Sequence, residues 1–128
     1  MVAKPNSRRA LRRAVDVPCE IITFDVDQPM AGRALDLSPF GMWAVSRQPF
    51  AVGERVVVSF RPPYWDEPAE LTLFGEVARV TMERCGRGGT ATGLGIEFTG
   101  MTDDERAALG RCLMGTPPPI PPHLQHAR

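Results

Sequence analysis

Short runs in which apolar and polar side chains alternate recur along this chain, each cut off by residues that favour turns. Alternation marks a strand with one face in a core, because successive side chains point to opposite faces. The clearest run is Glu54–Arg61, where Val56, Val58 and Phe60 share a face. Val17–Val26 is rich in β-branched residues and ends at the Asp27-Gln28-Pro29 turn. Gly32–Leu37 and Met42–Ser46 are expected to be paired strands joined across Ser38-Pro39-Phe40-Gly41. Leu71–Met82 is expected to be a strand bent or bulged near Gly75, and Thr92–Phe98 is the last strand. The proline-rich stretch from Arg61 to Pro68 and the segment from Arg84 to Gly89 are expected to be loops, the second of them flexible.

One helix signal follows. Thr102-Asp103-Asp104-Glu105 is a capping box, and its acids suit the positive end of a helix dipole. Leu109, Cys112 and Leu113 then fall on one face, and Gly115 with Pro117 stops the helix after about three turns. Residues 1–15 show little periodicity, with 1–7 expected as a flexible arm and 8–115 as the folded domain. Residues 116–128 form a proline-rich tail expected to be extended or disordered. Six strands and a closing helix in this length predict an all-β domain, a six-stranded antiparallel β-barrel with a C-terminal α-helix. Closure removes the exposed sheet edges such a chain would otherwise carry.

Charge adds an asymmetry that the net value of zero conceals. Lys4, Arg8, Arg9, Arg12 and Arg13 lie in the first fifteen residues with no acid among them, facing an acidic remainder. No apolar run reaches the ~18 residues that span a bilayer, and the start of the chain is basic and polar, so the expectation is a cytoplasmic protein with no membrane insertion. Cys19, Cys85 and Cys112 are widely spaced with no CxxC, which argues against a disulfide framework or a zinc site and for buried, inert thiols. His123 and His126 both lie in the tail, so a Ser-His or Cys-His catalytic pair is not expected, and neither is a metal. Gly86-Arg87-Gly88-Gly89 joins two strands rather than opening a helix, which disfavours a phosphate-binding loop. Trp43 is expected as half-buried core, and Trp65, in its proline-rich loop, as a candidate protein contact.

Two segments carry candidate chemistry. Arg8-Arg9-Ala10-Leu11-Arg12-Arg13 contains RxxxR in two registers, Arg8/Arg12 and Arg9/Arg13. A guanidinium grips phosphate oxygens or the O6/N7 edge of guanine with two parallel hydrogen bonds, and it stacks on purine faces. The same cluster also fits a solvated basic arm. Asp36-Leu37-Ser38-Pro39-Phe40-Gly41 reads equally as a well-built hairpin turn or as a ligand contact. In the second case the Asp36 carboxylate accepts from guanine N1–H and N2–H₂, and the Ser38 hydroxyl reaches a phosphate.

Taken in order, RxxxR and then DxSxxG in a small all-β chain resemble the PilZ domain, the bacterial receptor module for cyclic di-GMP. Ala14-Val15-Asp16-Val17-Pro18 is similar to the family's entry into its first strand, and Gly93-Leu94-Gly95-Ile96-Glu97-Phe98 to its closing strand. The resemblance spans roughly residues 8 to 114. It implies a non-enzymatic receptor without cofactor whose ligand is cyclic di-GMP. The implied ligand-binding residues are Arg8, Arg9, Arg12, Arg13, Asp36, Ser38 and Gly41, with Arg9/Arg13 the favoured pair and Arg12 then solvated. An arm that closes over the ligand would signal through an unidentified effector protein, in motility, exopolysaccharide or developmental control. The chain is expected to be a monomer or weak homodimer that binds no nucleic-acid polymer. The alternative is a ligand-independent PilZ-like protein-interaction module.

Overall fold

The computed structural model describes residues 12–25, 28–85 and 89–115 of the 128-residue chain. The expected arm 1–7, the Arg8 and Arg9 positions and the proline-rich tail 116–128 lie outside them. Six strands form the barrel: β1 (Arg13–Thr23), β2 (Met30–Ser38), β3 (Gly41–Ser46), β4 (Arg55–Phe60), β5 (Leu71–Cys85) and β6 (Gly89–Thr99). They close in the order β1-β2-β3-β6-β5-β4, with every pairing antiparallel. One helix, α1 (Asp103–Leu113), follows.

The inward positions are the apolar ones that alternation singles out. Val56, Val58 and Phe60 of β4, Leu37 of β2, Met42 and Ala44 of β3, and Leu94 and Ile96 of β6 are all buried. They form one core that fills the barrel, as the interior of a small barrel must be filled by side chains. Leu109 and Leu113 of α1 join the same cluster. The helix begins as its capping box predicts: the Glu105 N–H donates to the Thr102 hydroxyl at 3.1 Å, and the Thr102 N–H donates to the Glu105 carboxylate at 2.9 Å. Among the described residues no helix is long and apolar enough to cross a membrane.

Three expectations need correction. β1 starts at Arg13, ahead of the expected first strand at Val17, because a register shift between Ala14 and Val17 breaks the alternation there. The irregularity in β5 lies between Val77 and Arg79, not at Gly75, which pairs regularly with Val56 and Phe98. The β5–β6 hairpin also runs further than expected, since Arg84 pairs with Thr90 and Cys85 with Gly89. Backbone pairing there continues without the apolar alternation used to find strands.

The two tryptophans are also placed differently. Trp43 is half-buried, but it points away from the core, between inward-facing Met42 and Ala44. Trp65, a candidate protein contact, packs against the core and donates its indole N–H to the Ala69 carbonyl at 3.0 Å.

Two outcomes test this packing. A Cβ added at Gly110 in α1 meets only the Pro39 ring, at 3.7 Å, an ordinary contact. Gly110→Ala should therefore stabilise the fold by up to ~1 kcal/mol through helix propensity, read as a higher urea midpoint. Burial pushes the Cys19 thiol up to about 11 from 9.0, only partly offset by Arg33. Unfolding restores the ordinary value, so the contribution is full below about 9 and is lost as pH rises toward about 11. The thermal midpoint should fall across that window, and less so in Cys19→Ala.

Candidate functional site

The site follows from a break in strand periodicity. In β2, Ala34 faces the core, so strict alternation would send Asp36 inward and Leu37 outward. A register shift places the pairings of Ala34 with Ala44 and Asp36 with Trp43 on consecutive rungs, leaving Leu35 as an extra residue. Leu37 is thereby fully buried and Asp36 lies outside. β5 repeats the device. Val77 pairs with Ile96 and Arg79 with Gly95, so Ala78 is the extra residue, Arg79 faces out and Val80 packs on the core.

The two bulges bring one rung into line across four strands: Asp36 on β2, Trp43 on β3, Gly95 on β6 and Arg79 on β5. An acid, an aromatic ring, a bare backbone and a cation therefore stand side by side on the outer face of the barrel. These four, with Arg12, Phe40, Gly41 and Glu97 among others, line an open cavity of about 840 Å³. That lies within the ~300–1,000 Å³ typical of small-molecule sites.

Arg12, expected to be solvated, instead contacts Asp36, with Nη1 at 2.5 Å from Oδ1. Both side chains keep part of their surface in water, so the pair contributes only ~0–1 kcal/mol and opens at little cost. Arg13 pairs in register with Leu37 at the start of β1, next to the rung of Asp36. Arg33 is tied to the β1 irregularity, donating through Nε to the Asp16 carboxylate at 2.6 Å.

The Ser38 hydroxyl does not face the cavity. The side chain is fully buried, accepts a hydrogen bond from the Phe40 N–H at 3.1 Å and makes a long 3.5 Å contact as donor to the Gly41 carbonyl. Ser38 shapes the turn that carries Asp36 and Gly41. At Gly41 a Cβ would lie 2.4 Å from the Ile96 carbonyl oxygen, so only glycine lets β3 run this close to β6. The turn is also held from outside, because the Arg106 guanidinium of α1 lies 4.4 Å from the centre of the Phe40 ring.

Sequence reasoning missed Trp43, Arg79 and Glu97 as members of this site. The available signal was the register, since Gly95 and Glu97 lie in the closing-strand motif that pairs with Trp43 and Gly41. Among the described residues no group of three or more His, Cys, Asp or Glu side chains is placed to hold a metal.

Comparison with known proteins now fixes the family. Residues 6–115 match the PilZ domain. The chain belongs to the PilZ domain family. Among solved structures it is similar to the PilZ domain of YcgR from Escherichia coli with c-di-GMP, at TM-score 0.70 and 18% identity, over 87% of this chain and 92% of that one. It is also similar to the inhibitor of motility MotI/DgrA of Bacillus subtilis, at TM-score 0.67 and 14% identity, over 88% of this chain and 52% of that one. The c-di-GMP complex of MrkH from K. pneumonia gives 0.67 and 14%, over 89% and 52%. This PilZ chain thus spans about half the length of the last two. The comparison with curated proteins gives no match.

Gly41→Ala in this PilZ barrel should cost about 1–3 kcal/mol, the usual range for forcing atoms into a packed site. Chemical denaturation reads it, and an unchanged midpoint would show that the β3–β6 approach relaxes freely.

Proposed function

We propose that this PilZ chain is a non-enzymatic receptor for cyclic di-GMP, bound on the outward rung of Asp36, Trp43, Gly95 and Arg79. The observation that carries the reading is the Arg12–Asp36 contact at the edge of the cavity. It joins the RxxxR segment to the DxSxxG segment before any ligand is considered, and it presents one group suited to phosphate and one suited to guanine. Membership of the PilZ family and the c-di-GMP bound to the YcgR and MrkH relatives support the same ligand.

On binding, a guanine N1–H and N2–H₂ edge takes the Asp36 carboxylate, and Arg12 is released toward a phosphate. Arg8, Arg9 and Arg13 supply the remaining positive charge for the two phosphates. Ser38 and Gly41 act by holding the turn that positions Asp36. The displaced ion pair is weak, so the exchange leaves most of the binding energy for the ligand. The change at Arg12 alters the barrel surface seen by an effector protein, through which the receptor acts in the cytoplasm on motility, exopolysaccharide or development.

Isothermal titration with cyclic di-GMP, with GTP as control, should give saturable binding for the parent chain and no response to GTP. Arg9→Ala/Arg13→Ala should abolish it. Asp36→Ala should weaken it about tenfold or more, the worth of a hydrogen bond to a charged group. No heat and no thermal shift at high ligand concentration would assign the barrel to ligand-independent protein interaction instead.

A further inference from the structure

The RxxxR and DxSxxG segments account for one side of the cavity, and Trp43 and Arg79 lie on the other. Trp43 is a large aromatic residue placed outside the core, on the surface of a barrel whose interior is already filled. Its six-membered ring lies over the bare backbone of Gly95: a Cβ there would stand 3.5 Å and 3.6 Å from two ring carbons, and 3.3 Å from the Arg79 Cβ. The three residues therefore form one continuous surface, with the glycine as its floor. Arg79 is exposed, and among the described residues no hydrogen bond or ion pair engages its guanidinium. A bulge is needed to turn it outward at all. A half-buried indole on the outer face beside an exposed guanidinium, in a cavity that also holds Asp36, fits a purine presented face-on to the ring and edge-on to the cation.

We infer that Trp43, Gly95 and Arg79 form a guanine-selective base platform, distinct from the two motif segments. One guanine of the ligand stacks on the Trp43 indole, and Arg79 donates two hydrogen bonds to its O6/N7 edge. Adenine offers an amino donor in place of O6 and so meets Arg79 with a donor against a donor. Substitution of Gly95 by a larger residue would wedge Trp43 and Arg79 apart. This inference rests on the cyclic di-GMP reading given above, and it adds the residues that choose the base.

The test uses the full chain in a Trp65→Phe background, so that Trp43 is the sole tryptophan. Cyclic di-GMP should quench its fluorescence saturably. Trp43→Ala should bind about tenfold more weakly or worse, in keeping with the loss of one base–aromatic stack, while Trp43→Phe retains most of the affinity. Arg79→Gln should lower the preference for cyclic di-GMP over cyclic di-AMP by about tenfold or more, since glutamine suits the N6/N7 edge of adenine. Unfolding midpoints near that of the parent show that the variants are folded. Parent-like affinity in both Trp43 variants, or an unchanged base preference in Arg79→Gln, would overturn the platform and leave the receptor reading intact. Absence of saturable cyclic di-GMP binding by the parent chain would overturn both.

Discussion

The two-residue period of a β-strand is the constraint on which this site depends. A barrel strand that alternates without interruption cannot bury Ala34 and Leu37 and also hold Asp36 out, nor bury Val77, pack Val80 inward and also hold Arg79 out. One extra residue in each strand, Leu35 and Ala78, shifts the phase and resolves both conflicts. The core keeps its apolar contacts on either side of each bulge. The outer face gains a rung with an acid at one end and a cation at the other, separated by a tryptophan and a glycine. The polar rung and the apolar core are thus carried by the same strands.

The turn after β2 works with this rung. Ser38 spends its hydroxyl on the Phe40 N–H, and Gly41 allows an approach to Ile96 that no side chain would permit. Helix α1 backs the turn, with Arg106 over the Phe40 ring and Gly110 beside Pro39, while Leu109 and Leu113 anchor the helix in the barrel core. A ligand pressing on Asp36, Phe40 or Gly41 therefore presses on elements packed against α1.

Much of this was legible in the amino-acid pattern, and the limits have clear causes. Val56, Val58 and Phe60 alternate without a break, and the Thr102–Glu105 capping box is self-contained, so β4 and α1 could be placed from local residues alone. Asp36 and Gly41 could be named because a short motif holds them together. Trp43 and Arg79 could not, since they meet only through pairing of β3, β6 and β5 and through a bulge that no local signal marks. Gly75 drew attention as the likelier bend because glycine often marks one, yet its lack of a side chain serves a close approach, the Ile96 methyl standing 2.7 Å from where its Cβ would be. Ser38 illustrates the remaining ambiguity. A serine that shapes a turn and a serine that binds a phosphate look the same in sequence, and the structure adds that this one is buried with its hydroxyl bonded to the Phe40 N–H.

The central claim is that cyclic di-GMP binds on the outward rung between Arg12 and Arg79. The most direct measurement is the two-dimensional amide and indole NMR spectrum recorded during titration with cyclic di-GMP. The account predicts shifts concentrated at Asp36, Gly41, Gly95, Arg79 and the Trp43 indole N–H, with Val57, Ser59 and Phe74 on β4 and β5 undisturbed. Shifts centred on those β4 and β5 residues, or none at saturating ligand, would contradict it.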